Sequence, residues 1–235
     1  MAAVSMYALI PAAGDSVRMG GHVSAGSKLF LDVTNGVSVL EHTIRSIVRA
    51  DICCGIVVSS RADALDRVDE LLARVAPDHH RIIVTGGNTR QASVYRALQS
   101  VGDHATHVLI HDGARPLCPS ERVRAVAEEG VKTGAAILGL PVESTLKAID
   151  SHGETVETVP RERYILAQTP QVFRTELIMR AHERAMVDQF IGTDDSALVE
   201  RLGVQSKVVL GSSLNIKITS PDEVTLMRAL LQPAA

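Results

Sequence analysis

Residues 7–21 of the chain read YALIPAAGDSVRMGG, a short apolar run followed by a loop of small residues. Tyr7–Ile10 has the length and the apolar character of a strand that is covered on both faces. The loop after it brings Ala12, Ala13 and Gly14 to the carboxyl end of that strand, where ligands bind in open α/β sheets. Small side chains there let backbone N–H groups approach phosphate oxygens closely. The stretch therefore predicts the leading strand of an α/β sheet and a nucleotide-binding loop.

The rest of the chain alternates in the same way between short apolar runs and longer runs of helical period. Further strands are predicted at Gly55–Ser59, Arg81–Val84, His107–His111 and Ala135–Leu140. Helices are predicted from the capping box at Ser38–Glu41 onward and at Arg61–Val75, Arg90–Val101 and Ser120–Thr133. This alternation is typical of βαβ units, so we expect an α/β fold whose mostly parallel sheet has helices on both faces.

The alternation stops within residues 141–168. Lys147–Asp150 and Glu154–Thr158 flank a Ser-His-Gly turn, which predicts an exposed hairpin with few large apolar side chains. A hairpin that cannot bury a face alone usually packs on something else, and a partner subunit is one candidate. We therefore interpret the chain as a single domain, 1–235, with residues 141–168 as an inserted β-arm, called the arm below.

Helical period returns after the arm. Helices are predicted at Thr175–Val187, at Asp194–Leu202 and from a second capping box at Ser220 onward, with a strand pair at Ser206–Leu210 and Leu214–Thr219. Asp194 and Asp195 fall in the first turn of a helix, where acids ordinarily complement the helix dipole. Lys217 lies inside the otherwise apolar run of the second strand. Because an unpaired buried cation costs several kcal/mol, we expect Lys217 to have an anionic partner.

Charged residues cluster after the predicted strands. Arg18 and Lys28 follow the first loop, and residues 86–93, GGNTRQAS, follow a strand and open a helix, which gathers donors at a helix N-terminus. Asp112 and Arg115 follow the run THVLIH at the carboxyl edge of the sheet. These clusters predict a crevice that holds an anionic small molecule.

Composition excludes several other classes of protein. The 235 residues include 24 Lys and Arg against 27 Asp and Glu, a formal net charge of −3, so no overall positive field attracts a nucleic acid or an anionic bilayer. Aromatic residues are 3% and Trp is absent, which removes the stacking surfaces of single-strand binders. No apolar stretch approaches the roughly 18 residues that span a membrane. We therefore expect a cytoplasmic protein with no nucleic acid and no membrane as partner.

Seven motifs stand in order along almost the whole chain: PAAG with the later Arg18 and Lys28, GG..R..S, HDGARP, PV..T.K, VPRER with AQTPQ.F, TDDSALVE and NIKIT. In this combination the sequence resembles the 2-C-methyl-D-erythritol 4-phosphate cytidylyltransferase family of the non-mevalonate isoprenoid pathway. The resemblance implies a Rossmann-like fold with a protruding β-arm that crosses to the neighbour in a homodimer. It also implies condensation of CTP with methylerythritol phosphate to 4-diphosphocytidyl-2-C-methyl-D-erythritol and pyrophosphate.

The resemblance further implies a function for individual residues. Nucleotide contacts would come from Ala12, Ala13, Gly14, Gly87, Ser93, Asp112 and Ala114. The second substrate would be bound by Asp112, Arg115, Thr145, Arg161, Thr169 and Lys217. The catalytic set would be Arg18 and Lys28, which stabilise charge on the triphosphate, with Arg161 and Lys217, which position the second substrate. Mg²⁺ would be held mainly by the phosphates of CTP, so no protein residue is assigned as a metal ligand.

Three alternatives stay open beside this interpretation. Ribitol 5-phosphate cytidylyltransferase performs the same chemistry on a longer polyol phosphate, but the PAAG loop and residues 145–147 and 160–163 favour the methylerythritol family. A regulatory module that binds a nucleotide without turnover would not call for Arg161 and Lys217 directed at a second anion. A dehydrogenase would need the G-x-G-x-x-G fingerprint, which is missing because Gly14 has no partner glycine two positions on.

Overall fold

Short apolar runs and amphipathic runs alternate along the chain and fold into strands and helices in turn. A computed structural model describes residues 4–14 and 28–231. The strands in these residues are β1 (Met6–Pro11), β2 (Asp32–Thr34), β3 (Val37–Ser38), β4 (Gly55–Ser60), β5 (His80–Thr85), β6 (His107–Ile110), β7 (Ala135–Pro141), β8 (Leu146–Ile149), β9 (Thr155–Val159), β10 (Ile165–Arg174) and β11 (Lys207–Leu210). The α-helices there are α1 (Val39–Ala50), α2 (Leu65–Val75), α3 (Arg90–Val101), α4 (Ser120–Thr133), α5 (Thr175–Val187), α6 (Asp195–Glu200) and α7 (Pro221–Leu231).

Seven of the described strands form one sheet in the order β11-β7-β10-β6-β1-β4-β5. The pairs β6–β1, β1–β4, β4–β5 and β7–β11 are parallel, whereas β10 is antiparallel to both of its neighbours. The chain runs from β1 through β4 to β5 and then returns to β6 on the other side of β1. The strand order therefore reverses between β1 and β6, which is where sheets of this kind bind ligands. The predicted α/β class with a mostly parallel sheet is confirmed.

Helices cover both faces of the sheet, as predicted. Alternate residues of β1 point to opposite faces, so Ala8 and Ile10 join the core on one side while Tyr7 and Leu9 join the core on the other. The first core contains buried side chains of α1, α2, α4 and α7, and the second contains those of α3, α5 and α6. The loops at the carboxyl ends of the central strands thus rest on a base that is packed from both sides.

Three helices occupy the residues that the sequence predicts. Thr89 begins α3, and its hydroxyl accepts a hydrogen bond from the Ala92 amide at 3.0 Å. α4 and α5 occupy the predicted ranges 120–133 and 175–187. Because a polar cap satisfies an amide that the first helical turn leaves unpaired, residues such as Thr89 mark helix starts in the sequence itself.

The strand pair predicted at Ser206–Leu210 and Leu214–Thr219 is wrong. Lys207–Leu210 forms β11, but β11 pairs in parallel with β7 at the edge of the sheet, and residues 214–219 are irregular. The irregular segment bonds to the loop after β6 instead, where the Ile218 amide donates to the Ala114 carbonyl at 2.8 Å. Apolar β-branched residues favour a strand, but tertiary contact with a loop decides the conformation here.

β10 is the one strand of the central sheet, within the described residues, for which the sequence gives no clear pattern. Its run contains Pro170, and proline lacks the N–H that a strand inside a sheet donates. The sheet accommodates it with a register shift between Gln168 and Gln171 in the pairing with β7, and the Thr169-Pro170 peptide is cis. β10 thereby brings Thr169 beside the residues that follow β6.

The hairpin predicted in the arm is present. β8 and β9 pair antiparallel, with Leu146 opposite Val159, and form a separate two-stranded sheet. Most of their side chains are exposed, including Ile149 at 64% and Val156 at 69% of their full accessible area. The last residues of the arm already belong to β10, since Ile165 pairs with Pro141 of β7. The arm therefore leaves the central sheet at the end of β7 and returns to it through β10.

Helix length also bears on membrane association. The longest α-helix of the described residues is α4, with 14 residues. At about 1.5 Å per residue it is shorter than the roughly 30 Å of a bilayer core. None of the helices in residues 4–14 and 28–231 is long and apolar enough to cross a membrane. The cytoplasmic location stays a prediction.

Candidate active site

The carboxyl ends of β1 and β6 lie side by side and carry two of the loops that the sequence singles out. Their pairing continues past the strands, since the His111 amide donates to the Leu9 carbonyl at 2.9 Å and the Gly113 amide to the Pro11 carbonyl at 3.4 Å. A cavity of about 280 Å³ opens between the loops. The sequence-predicted residues that line it are Ala12, Ala13, Gly14, Lys28, Ser93, Asp112, Ala114 and Lys217. Arg18 lies outside the described residues.

A second cavity of about 500 Å³ adjoins the first at the start of α3. Both cavities are lined by Ala13, Gly14, Arg90 and Ser93, and the second is lined in addition by Gly87. The predicted nucleotide contacts thus surround two connected spaces at the carboxyl edge of the sheet. A ligand that is too long for one cavity could therefore extend from one into the other.

The turn before α3 has its shape fixed by close contacts. The Ser93 hydroxyl donates to the Thr89 carbonyl at 2.9 Å and accepts from the Gly87 amide at 3.0 Å. A Cβ at Gly86 would overlap the Cβ of Ala13, so only glycine lets this turn approach the loop after β1. The small residues at both positions are therefore needed for the two loops to form one site.

Asp112 is the centre of the charged groups in this site. One carboxylate oxygen accepts from the Arg90 Nε at 2.8 Å, and the other accepts from the Lys217 Nζ at 2.7 Å and lies 3.7 Å from the Arg115 Nε. Asp112 is only 7% exposed. The anionic partner predicted for Lys217 is therefore confirmed, and it is a carboxylate that serves three cations at once.

The charges in this cluster determine the protonation of Asp112. Burial by itself would raise the pKa of this carboxyl, but the positive charges of Arg90 and Lys217 outweigh burial and hold the pKa far below its ordinary value. Asp112 is therefore a carboxylate at neutral pH. Two acids, Asp195 and Asp112, raise the pKa of Arg90 against the effect of its own burial.

Arg90 and Asp195 form an ion pair at this site that sequence reasoning missed. The Arg90 Nη1 lies 2.7 Å from a carboxylate oxygen of Asp195, whose other oxygen is 3.2 Å from the His182 Nε2. Asp195 and His182 are both 1% exposed. Arg90 is thus held between two buried carboxylates, one after β6 and one in α6. The two acids are far apart in sequence, and the only signal for Asp195 was its place in a first helical turn.

Arg115 ties the loop after β6 to the irregular segment that carries Lys217. The Arg115 Nη1 donates to the Asn215 carbonyl at 2.6 Å, and the Asn215 side chain in turn donates to the Thr169 carbonyl at 2.8 Å. These bonds hold the segment across the mouth of the site and direct Lys217 toward Asp112. Arg115 does not itself line either cavity, so it contributes by placing Lys217 and by its charge.

Three further predicted substrate contacts do not line the two cavities. Thr169 is 4% exposed and lies behind Asp112, whose amide donates to its hydroxyl at 3.0 Å. Thr145 and Arg161 lie on the arm, where they line a separate pocket of about 390 Å³ with residues of β8 and β9. Arg161 donates to the Glu143 carbonyl of the same arm. One copy of the chain therefore does not join the arm residues to the Asp112 cluster.

The side chains that line the first cavity fit Mg²⁺ only if the ion is bound together with substrate phosphates. In the part of the chain that the structure describes, no three side chains of His, Cys, Asp or Glu come together as a metal site. Among those residues Asp112 is the single acid that lines the first cavity, and both of its oxygens already accept from cations. Mg²⁺ usually binds through one or two carboxylates together with substrate phosphates and water. A metal here would therefore be held chiefly by phosphates of a bound nucleotide, with help from Asp112, the acid that lines the first cavity in the described part of the chain.

Comparison with known proteins agrees with this geometry. The IspD family, 2-C-methyl-D-erythritol 4-phosphate cytidylyltransferase, matches residues 6–233. A protein of that name from Solibacter usitatus is 40% identical over 234 residues, which cover 97% of this chain and 96% of the relative. The crystal structure of 4-diphosphocytidyl-2C-methyl-D-erythritol synthase from Anaerococcus prevotii superposes with a TM-score of 0.84 at 29% identity, covering 98% of this chain and 99% of its own. That of 2-C-methyl-D-erythritol 4-phosphate cytidylyltransferase from Thermus thermophilus gives 0.77 at 33% identity, covering 97% and 98%.

These matches extend over nearly the whole chain and include every loop of the site. The matched range contains the central sheet, the arm and the Asp112 cluster. The chain belongs to the 2-C-methyl-D-erythritol 4-phosphate cytidylyltransferase family, whose members are nucleotidyltransferases.

Proposed function

We propose that this chain condenses CTP with 2-C-methyl-D-erythritol 4-phosphate to give 4-diphosphocytidyl-2-C-methyl-D-erythritol and pyrophosphate. The observation that carries the proposal is the cluster in which Arg90, Arg115 and Lys217 surround the carboxylate of Asp112. Even with Asp195 beside Arg90, three cations exceed two anions, so the rim of the cavity has positive charge to spare for phosphates. A reaction that brings two anionic substrates together gains from such a place, because the positive charge reduces the repulsion between them.

The two cavities that share Ala13, Gly14, Arg90 and Ser93 support a separate position for each substrate. The nucleotide lies along the small-residue loop Ala12–Gly14 and the turn at Gly87 and Ser93, with Lys28 near its phosphates. The phosphate of the second substrate lies toward Lys217, on the side of the cavity where Asp112 stands. Since the described residues that line the two cavities include no aromatic side chain, cytosine would be recognised by backbone and small polar groups.

The reaction is one displacement at phosphorus. An oxygen of the methylerythritol phosphate forms a bond to the α-phosphorus of CTP, and the bond from that phosphorus to the bridging oxygen of pyrophosphate breaks with its electron pair. The attacking phosphate is already ionised at neutral pH, so no general base is required. Cations at about 4 Å from developing charge each contribute at most ~4 kcal/mol at an effective dielectric near 20. Mg²⁺ bound to the triphosphate would add neutralising charge on the leaving group.

We further propose that the active form is a homodimer in which the arm of one copy completes the site of the other. Arg161 and Thr145 are apart from the Asp112 cluster within one chain, and the arm exposes apolar side chains such as Ile149 and Val156. A two-stranded hairpin is marginally stable alone and gains from being covered. The arm residues would thereby reach a second substrate bound near Lys217 of the partner.

A subunit-mixing experiment tests this arrangement. Arg161→Ala and Lys217→Ala are each expected to be inactive as pure dimers, because every site lacks either its arm cation or its core cation. Mixed dimers are expected to regain pyrophosphate release, since one of their two sites combines an intact core with an intact arm. Arg163→Ala, on the same turn of the arm, is the matched control. Mixed dimers that stay inactive would show that the arm does not act across subunits.

The substrates are tested by pyrophosphate release from CTP with either methylerythritol phosphate or ribitol phosphate. We expect release with CTP and methylerythritol phosphate, and a lower kcat/KM with ribitol phosphate. Equal or faster turnover of ribitol phosphate would overturn the assignment of the second substrate. Absence of release with both would favour a nucleotide-binding module without turnover. For the Lys217→Ala variant of the mixing experiment, the matched control is Lys207→Ala, which removes an exposed lysine of β11.

A further inference from the structure

His111 is a buried histidine that the proposed reaction does not use. It follows β6 directly, is 0% exposed and precedes Asp112. Its Nε2 lies 3.1 Å from the Arg115 carbonyl oxygen, and its Nδ1 lies 3.0 Å from the Thr169 hydroxyl. The same hydroxyl accepts from the Asp112 amide at 3.0 Å. Two hydrogen bonds of the imidazole, with a third from the Asp112 amide to Thr169, thus connect the ring to the residues that build the charged cluster.

The direction of each of these bonds follows from its partners. A carbonyl oxygen only accepts, so the His111 Nε2 carries a proton and donates to the Arg115 carbonyl. Burial lowers the pKa of His111 to about 4, although the charge of Asp112 opposes that shift, so the ring is neutral at pH 7. The Nδ1 of a neutral ring with Nε2–H is an acceptor. The single proton of the Thr169 hydroxyl is therefore donated to His111.

We infer that His111 is a positioning residue: it orients the Thr169 hydroxyl as an acceptor for the Asp112 amide and so sets where the Asp112 carboxylate stands among its cations. The inference rests on the proposed function. It changes the part assigned to Thr169, because a hydroxyl whose only proton is given to His111 has none for a phosphate oxygen. Thr169 acts on the second substrate through Asp112.

The location of these bonds distinguishes positioning from general core packing. They join the loop after β6, the register shift of β10 and the turn at Arg115, which are the backbone segments that carry the charged cluster. Arg115 contacts both Asp112 and the segment before Lys217. A small rotation of His111 would therefore move groups on both sides of the cavity. A displacement of about 1 Å in such groups can cost on the order of 10²-fold in rate.

Four variants of the full chain separate the two bonds of the ring. His111→Gln keeps a donor near the Nε2 position and removes the acceptor for Thr169, whereas His111→Asn keeps an acceptor near the Nδ1 position. Thr169→Val removes the hydroxyl, and Thr169→Ser keeps it. We expect His111→Gln and Thr169→Val each to lower kcat by about 10²-fold, with His111→Asn and Thr169→Ser closer to wild type. The double variant His111→Gln/Thr169→Val is expected to lose no more than either single one, because the two act as a unit.

A direct contact of Thr169 with substrate gives a different pattern. Thr169→Val would then raise KM for methylerythritol phosphate alone, His111→Gln would not share the effect, and the inference would be overturned. Wild-type kcat in His111→Gln would overturn it as well.

Two readouts do not depend on turnover. Long-range ¹H–¹⁵N NMR of the wild-type chain, with the His111 signals identified by their loss in His111→Asn, is expected to show Nε2–H and a bare Nδ1 at neutral pH. Hydrogen exchange of the Asp112 amide is expected to speed up in Thr169→Val and His111→Gln. An Nδ1–H tautomer, or unchanged exchange, would overturn the inference. If wild type releases no pyrophosphate, the proposed function fails, and these two measurements still decide the position of the proton and its effect on Asp112.

Discussion

Two groups of cations in this molecule are placed in opposite surroundings. Arg90, Arg115 and Lys217 each lie within 3.7 Å of a carboxylate oxygen of the buried Asp112. The arm carries Arg161 and Arg163, which are exposed in a short 3-10 turn between the hairpin and β10. The first group is held in place by charge and burial within one chain, whereas the second has no such support there.

The difference shows which half of the site is prepared before any ligand arrives. Exposed ion pairs contribute about 0–1 kcal/mol because water screens them, so the arm cations add little to the stability of a single chain. Buried charges with fixed partners need no rearrangement when a phosphate enters. The core therefore forms its part of the site by folding, and the arm would gain its part by association. The two regions should therefore differ in how much their side chains contribute to the free energy of unfolding.

The largest effect is expected from Asp112→Asn. Loss of this carboxylate leaves three cations without their common partner, and breaking a buried ion pair from one side costs about 3–5 kcal/mol. Urea unfolding measures the loss, and pyrophosphate release should fall by about 10²–10³-fold in the same variant. Asp112→Glu, which keeps the charge, is the control. A variant as stable as wild type would mean that the cluster does not hold the core half together.

The next effect concerns pH and His111. Its pKa is about 4 in the folded chain against 6.5 ordinarily, so between these values the unfolded chain binds more protons. Its stabilisation is complete above pH 6.5 and is lost as the pH falls through about 4, a change of up to about 3 kcal/mol. We expect unfolding free energies near pH 4.5 and 7.5 to differ less in His111→Asn than in wild type. Equal differences would contradict this, since His42 and His107, whose pKa values are also lowered, are common to both chains.

Asp195→Asn should have a smaller effect, because Arg90 keeps its bond to Asp112. A buried charged donor that loses one of two partners costs about 1–3 kcal/mol. We expect that loss of stability in urea unfolding, together with weaker CTP binding by calorimetry, as Arg90 lines both cavities. Asp188→Asn, which breaks ion pairs outside the site with Arg184 and Arg201, is the control and should change little. If Asp195→Asn and Asp188→Asn changed stability equally, the buried ion pair of Arg90 would contribute no more than an exposed one.

The smallest change in stability is expected from Arg161→Ala. Its side chain is 47% exposed beside Glu162, so unfolding of the monomeric state should shift by no more than about 0.5 kcal/mol. Pyrophosphate release should nevertheless fall by orders of magnitude. Arg161→Ala should thus reduce activity with almost no loss of stability, whereas Asp195→Asn should reduce stability measurably. A large loss of stability in Arg161→Ala would remove the contrast between the arm and the core.

The sequence predicts the regular part of this fold well. Runs of helical period locate α3, α4 and α5 to the residue, and the short apolar runs locate the parallel strands. Local rules fail where tertiary contact decides. Pro170 removes the sequence pattern of a strand from β10, whose position in the sheet depends on a register shift with β7. The β-branched run at 214–219 has the pattern of a strand, but it is irregular and bonds to a loop.

The candidate site shows the same division. Asp112, Arg115 and the small-residue loop could be placed at one edge because parallel strands end on the same side of a sheet. The partner of Lys217 could be foreseen as an anion from the cost of burying a lone cation. The bond between Arg90 and Asp195 could not, because the two residues lie on different helices and are 105 residues apart in the sequence. Arg18 and the arm contacts stay predictions.

Insertions should be tolerated in the turn of the arm but not in strand β10. The turn at Ser151–Gly153 is exposed and joins β8 to β9, so an added pair of residues there lengthens the hairpin and keeps its alternation. One residue inserted between Ile165 and Thr169 would reverse which side chains face each side of the sheet and carry the Thr169 hydroxyl away from the Asp112 amide. Related chains can therefore differ in the reach of the arm, but its return path is fixed in length.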